Sequence, residues 1–382
     1  MLAAYFPNKN YFFLYIHVFG EKIGNRLLEI FTGVIFYKLG MPIQFILLFF
    51  GLEFGLRGVL APLARVAVSK VGIKKAIVIS YGFLVVFFIF IGLAKVSLEL
   101  GFLSFIFQAI SRAIYYPCLD TLHSIFIKDG SRGKQYTLEL VITAIAGLLA
   151  VGIGFTVLTN AIVPAIIAIA LYLVIAVGAL LFMDHIEFPA NGRFLESYTY
   201  LASPKFRENL LPLGAESIVI IANIIVVPVF IFTLVKSSSS FSIIILIGII
   251  VQMILDLAYG LWIDKFGHKK TLKWASGLQA LGNIGYMFVA QRLALLPFIN
   301  GFNNTAWDMF SSNYNTRIQQ KAQKTQNPLL FNTASQMTLC FVEIIALIAF
   351  ALFAWAYGNA VFVLIFLSSI AGLYVSTRYF VD

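Results

Sequence analysis

The chain has 382 residues, 60% of them hydrophobic, with a mean hydropathy of +0.93 and only 12% charged. Soluble domains carry roughly 25% charged residues, so this composition excludes a water-soluble globule. The net charge of +10 does not point to nucleic acid, because the basic residues gather on alternate loops between apolar runs.

A membrane-spanning helix needs about 20 apolar residues. In chain order such runs lie at 11–37, 43–66, 74–94, 100–122, 137–158 and 162–183, then at 209–234, 240–263, 271–290, 293–316, 329–354 and 359–377. They predict an all-α membrane protein of 12 transmembrane helices, with no sizeable soluble domain left over. The polar stretch Pro7 to Asn10 precedes the first run and no small-residue cleavage site follows it, so that run is read as a span and not as a signal peptide.

The longest polar stretch divides the chain into a first half, 1–183, a linker, 184–208, and a second half, 209–382. Pro189, Gly192 and Pro204 punctuate the linker. Phe194, Leu195, Tyr198 and Leu201 recur within it at helical spacing, as in an amphipathic helix lying on the membrane surface; an irregular loop is the alternative. Nineteen Lys and Arg fall on the side that holds both termini, four on the other side and four at membrane depth. The positive-inside bias places both termini in the cytoplasm.

The halves echo each other. Lys70-Val71-Gly72-Ile73-Lys74-Lys75 aligns with Lys265-Phe266-Gly267-His268-Lys269-Lys270, and a nearly equal offset lays Arg112 of the fourth span on Asn304 of the tenth. Two similar offsets in different places favour a six-plus-six repeat of pseudo-symmetric bundles.

The segment Gly260-Leu261-Trp262-Ile263-Asp264-Lys265-Phe266-Gly267-His268-Lys269-Lys270 resembles the signature loop of the major facilitator superfamily. The first-half copy keeps Gly72, Lys74 and Lys75 but has Arg65 where the first glycine belongs and Ser69 where the aspartate belongs. Tyr115-Tyr116-Pro117, Asp120 and the basic loop 130–134 resemble the end of the family's fourth span, whereas the Gly-Pro element of its antiporters is missing from the fifth. The resemblance implies two six-helix bundles that rock about a central cavity lined by the first, fourth, seventh and tenth spans. It also implies that the two loops act in gating, with the first-half contribution weakened by the loss of the acidic residue.

Polar groups at bilayer depth cost roughly 2.5 to 3.5 kcal/mol each on insertion scales, so they face protein or water and often function. The first span carries Glu21, Lys22, Asn25, Arg26 and Glu29; the fourth Gln108, Arg112, Tyr115 and Tyr116; the seventh Glu216 and Asn223. In the tenth, Asn300, Asn304, Trp307, Asp308 and Ser311 follow one helical face. Glu21, Asn25, Arg112, Tyr115, Asn223, Asn300, Asn304, Trp307 and Asp308 are accordingly the expected substrate contacts, with interhelical hydrogen bonding as the competing use of such a stripe. Glu29 and the isolated acids Asp120, Asp256 and Glu343 are the candidate proton carriers. Arg26 with Glu29, and Glu53 with Arg57, have the spacing of same-face ion pairs.

His17 and His123 read as hydrogen-bonded structural residues, and Cys118 and Cys340, both in apolar runs, as buried small hydrophobes. No metal-ligand spacing, phosphate-cradling loop or nucleophile elbow is present, so neither a cofactor nor an enzymatic activity is expected. The expected function is a monomeric, proton-coupled secondary transporter of a small solute in a bacterial cytoplasmic membrane. A lipid flippase on the same scaffold and a non-transporting scaffold or sensor are the alternatives.

Overall fold

The structure, a computed structural model, describes residues 9–126, 132–158, 162–184, 186, 192–266 and 268–381. Helices account for nearly all of them, as a lipid-embedded backbone requires, since only internal hydrogen bonds can satisfy its polar groups there. In the first half these are α1 (Lys9–Lys38), α2 (Ile43–Leu60), α3 (Leu63–Val71), α4 (Ile73–Leu93), α5 (Leu98–Leu103), α6 (Phe105–Phe126), α7 (Arg132–Leu158) and α8 (Ile162–Phe182). The linker forms α9 (Glu196–Leu201) and α10 (Pro204–Arg207). The second half follows with α11 (Leu210–Ile220), a π-helical turn (Ile221–Val226), α12 (Val227–Val235), α13 (Ser238–Phe266), α14 (His268–Phe288), α15 (Leu296–Gln323), α16 (Pro328–Tyr357) and α17 (Val361–Val381).

Three expected spans are broken helices. Pro62 lacks an N–H and separates α2 from α3, which ends where Gly72 takes φ of 80° and returns its N–H to the Val68 carbonyl. Ser104 parts α5 from α6. The π-helical turn sits just before Pro228, whose missing N–H cannot continue the regular ladder. With α2–α3, α5–α6 and α11–α12 each counted as one passage, the described residues form an all-α structure of twelve helical passages, as the sequence predicts. Six helical segments among the described residues are long and apolar enough to cross a membrane, including Ile73–Leu93 and Leu210–Val235. The polar residues of α1 and α15 keep those two helices off that count, and both helices line the site described below.

Close helix contacts use glycine. Gly51, Gly55 and Gly58 form a stripe on α2 against Leu347, Ile344 and Cys340 of α16, a pairing between the two halves. The other large contact between halves joins α7 to α13, where Gly147 faces Ile249. Within the halves, Gly20 and Gly24 bring α1 onto Tyr172 and Ala176 of α8, and Gly301 brings α15 against the Gly248 carbonyl of α13. At the end that carries Lys38 the halves meet through apolar groups. Phe31 packs on Phe241 and Tyr37 on Phe232, while Lys38 Nζ donates to the Leu158 carbonyl and to Ser238 Oγ. At the same end Ser97 Oγ donates to Glu99 (2.6 Å). At the linker end, Gln323 of α15 donates to the Ser124 carbonyl of α6 and Asn332 of α16 to Thr121 Oγ1.

Candidate substrate cavity

A cavity of about 320 Å³ lies where α1, α2, α6, α11, α15 and α16 converge. It runs from Glu29 and Glu343 at mid-helix toward Tyr11 on α1 and Gln319 on α15, the direction of the linker end. Its walls are unusually rich in ionisable groups for a space between apolar helices. Several are held in place by neighbours on other helices.

On the first-half wall, the guanidinium of Arg57 lies 4.5 Å from the centroid of the Tyr116 ring and that of Arg112 lies 5.9 Å from it, both within cation–π range. The Tyr116 hydroxyl accepts from Asn25 Nδ2 (3.0 Å), and the same amide donates to Glu21, four residues earlier on α1. Arg112 also pairs with Glu53 at 3.9 Å. Across the cavity, Gln336 of α16 accepts from Arg57 and donates to Asp120 of α6 (2.9 Å), joining three helices from the two halves. Arg26 of α1 sits between Glu29 (3.5 Å) and Asp308 of α15 (3.9 Å), and Gln252 of α13 donates to the same aspartate. Arg57 and Arg112 are each 7% exposed and line the cavity, and the buried Nε of each has no hydrogen-bond partner among the described residues.

Of the expected substrate contacts, Glu21, Asn25, Arg112, Trp307 and Asp308 line this cavity, together with the candidate proton carriers Glu29, Asp120 and Glu343. Asn223, Asn300 and Asn304 instead line a smaller space of about 40 Å³ that shares Arg26 and Glu29 with the first. There Asn223 Oδ1 accepts from Gln279 (2.6 Å) and Asn303 (2.8 Å), so part of the asparagine set is spent on interhelical hydrogen bonds. Tyr115 turns away from the cavity. Its hydroxyl lies 3.3 Å from Nε2 of His17, whose Nδ1 is 2.9 Å from the Ala176 carbonyl, and Tyr116 takes the lining position. Asp256 is buried and lines neither space.

The spacing of Glu53 and Arg57 suggests a pair on one helix, but the structure joins Glu53 to Arg112 and Arg57 to Gln336. The expected Arg26–Glu29 pair is present. Sequence reasoning missed the α16 wall except for Glu343: Asn332, Ser335, Gln336 and Leu339 also face the cavity, at helical spacing that was readable in the chain. It also passed over Lys22, Arg57 and Tyr116 as contacts, although all three fall at membrane depth.

Among the expected gating residues, Gly72 makes the turn already described, and Lys74 Nζ donates to the Met183 carbonyl at the end of α8 (2.7 Å). Ser69 and Lys75 are exposed, and Ser69 Oγ bonds back to the Val66 carbonyl. In the second-half loop, the side chains of Gly260, Asp264, Lys265 and Lys269, and Gly267 altogether, lie outside the described residues; Lys270 is exposed in the first turn of α14. Cys118 and Cys340 are free and buried.

No family model and no curated protein matches the sequence. The three-dimensional similarity is nevertheless extensive. The human organic anion transporter MFSD10 superposes with a TM-score of 0.67 at 12% identity, over 95% of this chain and 98% of that one. The nucleoside transporter NupG gives 0.64 at 14% identity, over 98% and 100%. The E. coli fucose:proton symporter FucP gives 0.62 at 12% identity, over 96% of each chain. These cover at least 95% of both partners, so the chain has the fold of the major facilitator superfamily of membrane transporters.

Proposed function

We propose that this integral membrane protein is a secondary transporter that carries a small polar solute by alternating access. The observation that carries the reading is the cavity of about 320 Å³ with ionisable groups contributed by both halves of the chain. Its volume falls at the lower end of the range for small-molecule pockets, roughly 300 to 1,000 Å³. In this reading the bundles 1–183 and 209–382, joined by the linker 184–208, rock about the cavity, with both termini in the cytoplasm. Solute shifts the balance between the two arrangements only as far as it binds them unequally.

Arg57 and Arg112 supply donors for an anionic or strongly polar group, Glu21 and Asp308 supply acceptors, and Trp307 and Tyr116 cover apolar parts. Glu29, Asp120 and Glu343 are the proposed sites of proton coupling, because all three line the solute space and the first two also meet a basic or amide partner. A bacterial cytoplasmic membrane and a monomeric state complete the proposal. The charged lining favours a soluble solute over a lipid, whose acyl chains would leave these groups desolvated without a partner.

The test is a thermal-shift screen of purified protein against metabolites, followed by uptake of the stabilising compound into proteoliposomes. Arg112→Ala and Asp308→Ala should each abolish uptake while leaving expression intact. Full uptake by both variants would remove the site assignment, and a solute that stabilises the protein without crossing the bilayer would remove the transport reading.

A further inference from the structure

Arg65 is the largest fully buried side chain among the described residues. It stands where the signature loop has glycine, at the linker end of α3. A buried guanidinium is costly unless its donors are satisfied. The linker satisfies them: Nη2 reaches Glu196 at 2.6 Å, and Nη1 donates to the Arg193 carbonyl (3.1 Å) and to Ser197 Oγ (3.4 Å). The second departure, Ser69, also faces the linker. A Cβ placed on Gly192 would lie 2.8 Å from Ser69 Cβ, so the chain passes so close to α3 that only glycine fits at this point. Farther along, Tyr198 donates to the Val59 carbonyl of α2 (2.8 Å), and α9 also packs on α16.

We infer that the altered residues Arg65 and Ser69 form a docking surface whose occupant is linker segment 192–201, and that this segment straps the α2–α16 seam at the linker end. The two departures from the signature pattern then have one explanation. An aspartate at position 69 would crowd Gly192, and a glycine at position 65 would leave Glu196 and Ser197 without their anchor. The occupant is identified by charge and shape together, an acidic residue on a buried base and a glycine at the closest approach. The strap touches α2 and α3 on one side of the seam and α16 on the other, so it resists any movement that parts the two halves there. This goes beyond the proposed transport function, because a strap across the seam would exist in a transporter or a non-transporting scaffold alike.

The test needs no substrate. Hydrogen exchange of the 196–201 amides and the distance between spin labels at positions 70 and 324, both exposed at the linker end, are measured in wild type, Glu196→Ala and Gly192→Ala. Cys118 and Cys340 are buried and stay unlabelled. Glu208→Ala is the control, since its pair with Lys321 is solvent-exposed. Loss of one charge-assisted hydrogen bond to a buried group should speed exchange by roughly tenfold or more. Both strap variants should show this and a longer 70–324 distance component, with the control at wild-type values. An unchanged distance distribution in both strap variants, with or without faster exchange, would overturn the inference.

Discussion

Gln336 donates to Asp120 at 2.9 Å across 216 residues of sequence, and its carbonyl accepts from Arg57. One neutral amide thus spaces a buried base from a part-buried acid that belong to different helices. Gln336→Leu keeps the volume and removes both bonds. It should lower stability by about 1–3 kcal/mol, the cost of leaving a buried polar group unsatisfied. The drop in melting temperature in detergent checks this, and a variant as stable as wild type would show that the bridge contributes nothing.

Arg26 and Asp308 link α1 to α15 at 3.9 Å, with side chains 22% and 9% exposed. Because Arg26 also contacts Glu29 and Asp308 also accepts from Gln252, the single variants Arg26→Met and Asp308→Asn leave different remainders. A double-mutant cycle should return a coupling of roughly 0.5–3 kcal/mol, as expected for groups in one network. Additive effects on thermal stability would mean that the two groups do not interact.

A carbonyl can only accept, so the 2.9 Å contact with Ala176 makes Nδ1 of His17 a donor. In the neutral ring Nε2 then accepts from Tyr115. This arrangement suits a neutral, structural imidazole. His17→Phe should lower the melting temperature yet leave the shape of the pH profile of solute uptake as it is in wild type. A displaced profile would assign the histidine to proton handling.

Glycine positions separate contact from conformational freedom. A methyl at Gly301 would meet the Gly248 carbonyl at 2.6 Å, and backbone on α13 cannot rotate away. Gly301→Ala should therefore destabilise by about 1–3 kcal/mol through overpacking. Gly82 on α4 has open space around it, and Gly82→Ala should stabilise by up to about 1 kcal/mol through helix propensity. Thermal shifts of the two variants should have opposite signs.

What the chain reveals by itself and what it leaves open differ in kind. Apolar runs long enough to cross a bilayer are a local property, so the helices of the twelve passages were legible, as was the polar face of α15 from Asn300 to Asp308. Breaks inside helices were less so: Pro62 and Pro228 were visible, but whether each kinks, ends or merely bends a helix depends on what packs beside it.

The cavity partners depended on tertiary structure throughout. Nothing in the sequence distinguishes Tyr115 from Tyr116, yet the rotation of α6 turns one toward His17 and the other toward Arg57 and Arg112. Likewise Glu53 has Arg57 one helical turn away, but the crossing of α2 and α6 gives it Arg112. Periodicity identifies which residues share a helical face. Only the packing of one helix on another sets the azimuth of that face, and a rotation of a few tens of degrees decides whether a charged group meets a partner, a solute or lipid.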